Sequence, residues 1–390
     1  MKKHIVAAGL AGLLALSLTA CGGGGAGAGG GATPTGGDNA PASPATETIT
    51  IGVAMPTQTS TRWIADGNAV KQGLEALGYK VDLQFGNDDI PTQTQQIDQM
   101  ITNGDKLLII AAIDGTALTS QLQSAADKGI KVISYDRLIR DSPNVDFYVS
   151  FDNYKVGVAQ GTSLLYGLGL TDKDGKKAAN PPAGPINIEL FAGSPDDNNA
   201  GFFFNGAVDT MKPFFDDGSL VVKSGQTEFA QCAIMRWDQA TAQTRMENLL
   251  TSTYGGSGEG LKGVLSPFDG LSRGIITALQ GVGMGPTITE GLPVVTGQDA
   301  EIASVKLINT DVQFSTIFKD TRLLAEQAVK AAQAFLSGQT PTPNNTKDYD
   351  NGVKVVPSML LDVVTVNKED IQKQLIDSGY YTQAQVEAGQ

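Results

Sequence analysis

Beyond Glu47 the chain alternates short β-rich runs with helical stretches, and that rhythm limits its fold more than any other feature. Strands are predicted over 48–54, 80–85, 107–112, 131–135, 186–191, 263–266, 293–296 and 313–317. Between them lie stretches with one apolar face, such as Trp63, Ile64, Val70, Leu74 and Leu77, closed by Gly78. A second runs from Arg322 through Leu324, Ala328 and Ala332 to Phe335. Strand–helix alternation implies parallel sheets covered by helices, an α/β fold. The number of units predicts two doubly wound sheets. A TIM barrel would need eight regular units, and this chain breaks rhythm at the Pro-rich insert 171–185 and again at 340–351.

The N-terminus predicts location. Lys2 and Lys3 precede an apolar run, 5–20, that is too short to span a bilayer comfortably. Leu18-Thr19-Ala20-Cys21 then reads as a lipobox, making 1–20 a secretory signal peptide and Cys21 a lipidated mature N-terminus on the extracytoplasmic side of the cell membrane. Residues 22–48 hold no aromatic side chain and no aliphatic one larger than alanine, so 21–48 is expected to be a disordered tether. A flexible coil of that length spans about 30 Å r.m.s..

Absences in the remaining chain exclude whole classes of chemistry. The only histidine is His4, which departs with the signal peptide, so a Ser-His-Asp triad and a histidine metal site are both excluded. With Cys21 lipidated, Cys232 has no disulfide partner. The formal charge of −13 becomes −15 once Lys2 and Lys3 are removed, and so acidic a chain repels nucleic acid. No GxxxxGK[ST] phosphate loop is present, and Asp172-Lys173-Asp174-Gly175 lacks the remaining ligands of a calcium loop. No cofactor and no metal are expected. Among enzymes, a carboxylate-dependent glycosidase stays open, because paired carboxylates need no histidine.

Ligands of open α/β sheets sit beyond the carboxyl ends of the strands. The residues there are polar: Thr57 to Trp63, Asp114-Gly115, Asp136-Arg137, Gly193 to Asn199, Phe268-Asp269, Gln298-Asp299 and Lys319-Asp320. Singly, each has a plain structural explanation, such as a turn for Asp114 or an N-cap for Asp269. Together they predict one polar cleft between two lobes. Both tryptophans, Trp63 and Trp237, follow an arginine, Arg62 and Arg236. A flat indole suits the C–H face of a pyranose ring, while arginine and aspartate suit its hydroxyls.

These segments, among them 62–68 (RWIADGN), 134–140 (SYDRLIR), 189–204 (ELFAGSPDDNNAGFFF), 236–250, 265–272 and 315–322, resemble the ChvE-type multiple-monosaccharide-binding proteins across nearly the whole mature chain. The resemblance implies a type I periplasmic-binding-protein fold with two Rossmann-like lobes and a three-segment hinge. It places 49–152 plus 320–356 in the first lobe and 153–319 plus 357–390 in the second, with crossings near 151–154, 319–321 and 356–358. It implies a receptor that passes a monosaccharide to an ABC permease; the chain is expected to be monomeric and non-catalytic, and a sugar-sensing receptor for a membrane kinase stays open as an alternative. The sugar site would comprise Arg62, Trp63, Asp114, Asp136, Arg137, Asn199, Arg236, Trp237, Asp269, Asp299 and Lys319, with Phe203 and Gln298 as secondary members.

Overall fold

A computed structural model describes residues 48–390. The expected signal peptide, Cys21 and the expected tether through Glu47 lie outside the described residues. The chain begins with β1 (Thr50–Met55), α1 (Thr61–Ala76), β2 (Lys80–Phe85), α2 (Ile90–Asn103), β3 (Leu107–Ile110), α3 (Thr119–Asp127), β4 (Lys131–Tyr135) and β5 (Phe147–Phe151). It continues through α4 (Asn153–Gly167), β6 (Ile186–Leu190), α5 (Asn198–Asp216), β7 (Leu220–Val222), α6 (Phe229–Cys232), α7 (Gln239–Thr253), β8 (Leu261–Leu265), α8 (Asp269–Gly281), β9 (Val294–Val295), α9 (Ile302–Asn309) and β10 (Thr316–Phe318). Last come α10 (Thr321–Leu336), β11 (Ser358–Leu361), β12 (Val364–Val366) and α11 (Gln383–Ala388).

Two parallel sheets result. The first has six strands in the order β11-β5-β4-β3-β1-β2, and the second four in the order β7-β6-β8-β9. In β1, Ile51, Val53 and Met55 pack on one face with Leu74 of α1 and Leu324 and Ala328 of α10, while Ala54 faces Ile97 and Met100 of α2. Burial on both faces explains why β1 and β3 read as nearly continuous apolar runs. In the second lobe, α4 and α5 cover one face, and α7 and α8 the other. The α4–α5 crossing is very close: a Cβ on Gly157 would stand 2.1 Å from the Phe203 carbonyl oxygen.

The chain passes between lobes after β5, after β10 and after β11. That third crossing corrects the expected boundary. Ser358–Leu361 pairs in parallel with β5, so 357–361 belong to the first lobe, and the second resumes at β12, antiparallel to β10. The sequence conceals this because β11 follows an irregular stretch with no helix before it. β5 was missed for the same reason: no helix separates it from β4. Among the described residues, no helix is long and apolar enough to cross a membrane.

Candidate functional site

A cavity lies between the lobes at the carboxyl ends of the strands. The first lobe contributes Thr57, Thr59 and Ser60 after β1, Arg62 and Trp63 from the first turn of α1, Asp88 after β2, and Asp136 and Arg137 after β4. From the second come Asp197, Asn199 and Phe203 around the start of α5, Arg236 and Trp237, Phe268, Gln298, Asp299 and Lys319.

Charge alternates through the floor. Arg62 is buried, with Nε 3.0 Å from Asp66 Oδ2 and Nη1 3.6 Å from Asp299 Oδ1, and it donates through Nη2 to Asp136 Oδ2. Lys319 Nζ lies 3.0 Å from Asp299 Oδ1 and 3.9 Å from Asp136 Oδ2, with the rings of Phe151 and Phe203 around it. Burial by itself would raise the Asp136 carboxyl, but Arg62, Lys319 and Arg137 together lower it to about 2. This carboxylate stays charged at any physiological pH. Asp66, one layer deeper, is raised to about 7, since burial outweighs Arg62 and the hydrogen bond donated by the Tyr135 hydroxyl.

Arg137 pairs with Asp197 at 3.1 Å, and its guanidinium stands 5.1 Å from the Trp63 ring centroid, with that of Arg62 at 4.5 Å. Trp237 meets Phe203 and Phe268 with centroids 6.3 and 6.0 Å away. Its indole lies over Gly193, where any Cβ would stand 2.0 Å from the ring, and its buried Nε1–H has no partner among the described residues. Backbone strain gathers at the same place. Asp136, Arg236, Trp237 and Asp299 have φ of 58°, 58°, 55° and 87°, in the left-handed region that costs a side-chain-bearing residue about 1–3 kcal/mol. Such strain persists only where surrounding contacts fix it, and here it aims side chains into the cavity.

Residues 51–340 match the periplasmic binding protein domain family. The chain belongs to that family. It is 57% identical over 332 residues to the multiple sugar-binding periplasmic receptor ChvE of Rhizobium radiobacter, covering 85% of this chain and 90% of that protein. It is 33% identical over 338 residues to the D-xylose-binding periplasmic protein of Escherichia coli, covering 87% and 92%. Among solved structures, an ABC transporter solute binding protein from Clostridium phytofermentans with bound β-D-glucose aligns with a TM-score of 0.80 and 44% identity, covering 86% of this chain and 99% of that one. A carbohydrate transporter solute binding protein from Chloroflexus aurantiacus, in complex with D-glucose, gives 0.75 and 35%, with 87% and 98% covered.

In this periplasmic binding protein, two expected site residues do not line the cavity. Asp114 closes its own turn, accepting from the Thr116 amide and hydroxyl, each at 2.8 Å. Asp269 is fully buried behind the cavity wall, where it accepts from Gln313 Nε2 at 2.8 Å, the Glu301 amide at 2.9 Å and the Thr316 hydroxyl at 3.1 Å. Being the first residue of α8, it folds back to brace the loop carrying Asp299 instead of facing outward. Asn199 reaches the cavity but is largely occupied: Nδ2 donates to the Asp136 carbonyl at 2.8 Å, and Oδ1 accepts from Asn153 and Tyr148. Asp88, Asp197 and Phe268 were not chosen from sequence. Asp88 was legible, since it follows strand 80–85 by the same strand-end rule.

Proposed function

We propose that this protein is an extracytoplasmic receptor that closes around one monosaccharide, an aldose such as glucose, galactose, xylose or arabinose, binds it without turnover, and delivers it to an ABC permease. Cys21 would be its lipid anchor. Arg62, Trp63, Asp136, Arg137, Asn199, Arg236, Trp237, Asp299 and Lys319 would form the binding site, joined by Asp88, Asp197, Phe203, Phe268 and Gln298. One observation carries the reading: four cationic and four anionic side chains line the cavity beside four aromatic rings. Such a lining compensates its own charge, so it favours a neutral ligand dense in hydroxyls over an ion. Charge-assisted hydrogen bonds contribute about 1.5–3 kcal/mol each, and aromatic faces complement sugar C–H groups. Similarity to a multiple sugar-binding receptor and to two glucose-bound structures supports the same class. Isothermal titration of the purified protein against glucose, galactose, xylose, arabinose and fucose tests it. Saturable heat with at least one aldose, and no product formed, is expected. No heat and no melting shift with any aldose would overturn the proposal.

A further inference from the structure

Of the polar contacts that join the lobes, two are made by a loop turn outside the cavity lining and by a serine at the cavity edge. The first uses the 114–116 turn. Asp114 fixes that turn through Thr116, and the Gly115 amide then donates 3.2 Å across the cleft to the Asp196 carbonyl oxygen. Arg140 Nη2 donates to the same oxygen at 3.3 Å, while the Arg140 amide donates to the Gly115 carbonyl at 2.8 Å. Gly115 and Arg140 thus form one unit of the first lobe gripping one atom of the second. The grip is stiff on the far side too, since the Asp196 carboxylate holds Arg236 at 2.8 Å. The second contact is the Ser60 hydroxyl donating to Glu301 Oε1 at 2.7 Å. Ser60 occupies the N-cap of α1 yet makes no capping bond with its side chain, which instead reaches the other lobe. Glu301 is held in turn by Arg273 at 2.7 Å.

We infer that the Asp114–Thr116 turn with Arg140 is a closure clasp: it sets affinity by favouring the closed arrangement, without touching the ligand. Ser60–Glu301 is a parallel clasp two strands away in the second sheet, at the end of β9 where Asp196 follows β6. The inference rests on the proposed closure around a sugar. A contact made only when the lobes meet adds its free energy to every ligand's binding equally, because it acts on the open–closed equilibrium. It therefore slows release of all ligands by one factor and leaves their ranking unchanged. A residue touching the ligand behaves differently, because each epimer presents it with a different hydroxyl.

The variants are Arg140→Met, which keeps the apolar stem, and Asp114→Ala, which frees the turn. Affinities for glucose, galactose, xylose and arabinose would be measured for each, with stopped-flow release rates. The expected result is binding weakened about 10-fold, the scale of one charge-assisted hydrogen bond, by the same factor for every sugar bound and through faster release. Melting of the unliganded variants within a few degrees of wild type confirms that the fold is retained. Unchanged affinity in both variants, or losses that differ between sugars by more than about threefold, overturns the clasp while leaving the sugar site intact. A sugar-dependent loss in Asp114→Ala would restore that carboxylate to the ligand. If wild type binds none of the sugars, the receptor reading fails first, and the clasp falls with it.

Discussion

At the residue scale, Asp136 concentrates the chemistry of the cleft. It sits at a left-handed φ of 58°, receives Arg62, lies near Lys319, and offers its own carbonyl to Asn199, Tyr148 and Ser150. Asp136→Ala leaves the buried Arg62 and Lys319 short of an anion, so sugar affinity should fall by more than about 2 kcal/mol, as titration calorimetry would read. Unchanged affinity would remove Asp136 from the site. Asp66 makes a prediction of opposite sign in pH. Its carboxyl is raised from 3.8 to about 7 in the folded protein, so the native state holds a proton that the unfolded chain releases. That contribution is fully present below about pH 4 and is lost as pH rises toward 7. In Asp66→Asn this dependence disappears, and the variant's melting temperature should gain on wild type steadily from pH 4 to 8. A constant gap over that range would show that Asp66 does not titrate there. Gly193 is decided by space alone, because the Trp237 indole occupies the volume a Cβ would need.

Among the elements, α4 and α5 carry the most demanding contact. Gly157 and Gly206 let two backbones approach so closely that a Cβ on Gly206 would lie 2.3 Å from the Tyr154 carbonyl. That approach places Phe203 beside Lys319 and Trp237. Gly157→Ala should therefore cost at least about 1–3 kcal/mol, seen as a lower melting temperature, and should weaken sugar binding by shifting Phe203. A melting temperature equal to wild type would contradict the packing. The strands show how far periodicity reaches. Both 80–85 and 131–135 match β2 and β4 end to end, because each run is bounded by turn residues and followed or preceded by a helix. β5 and β11 break that pattern, and β7 and β12 are only three residues long. Runs so short carry no period to detect.

For the whole molecule, the polar contacts between lobes describe a closed arrangement, and the family's repertoire is hinge closure around ligands. Small-angle scattering should show the radius of gyration falling when a bound aldose is added; identical profiles would contradict ligand-driven closure. Cys21→Ala should leave sugar affinity intact and move the protein from the membrane to the soluble fraction. Retention at the membrane would remove Cys21 as the anchor. The α/β class was legible in the strand–helix rhythm and the family in the resemblance of whole segments, and most of the side chains that line the cavity could be listed in advance, because strand-end position and side-chain type are both local properties of the chain. Tertiary structure decided the rest. Asp114 and Asp269 stand at strand ends like Asp136 and Asp299, and no local signal separates a carboxylate that braces a turn from one that faces the cavity. That difference depends on φ at single residues and on which partner waits across the cleft. The third crossing after Leu361 depends likewise on a long-range pairing with β5, which no stretch of neighbouring residues encodes.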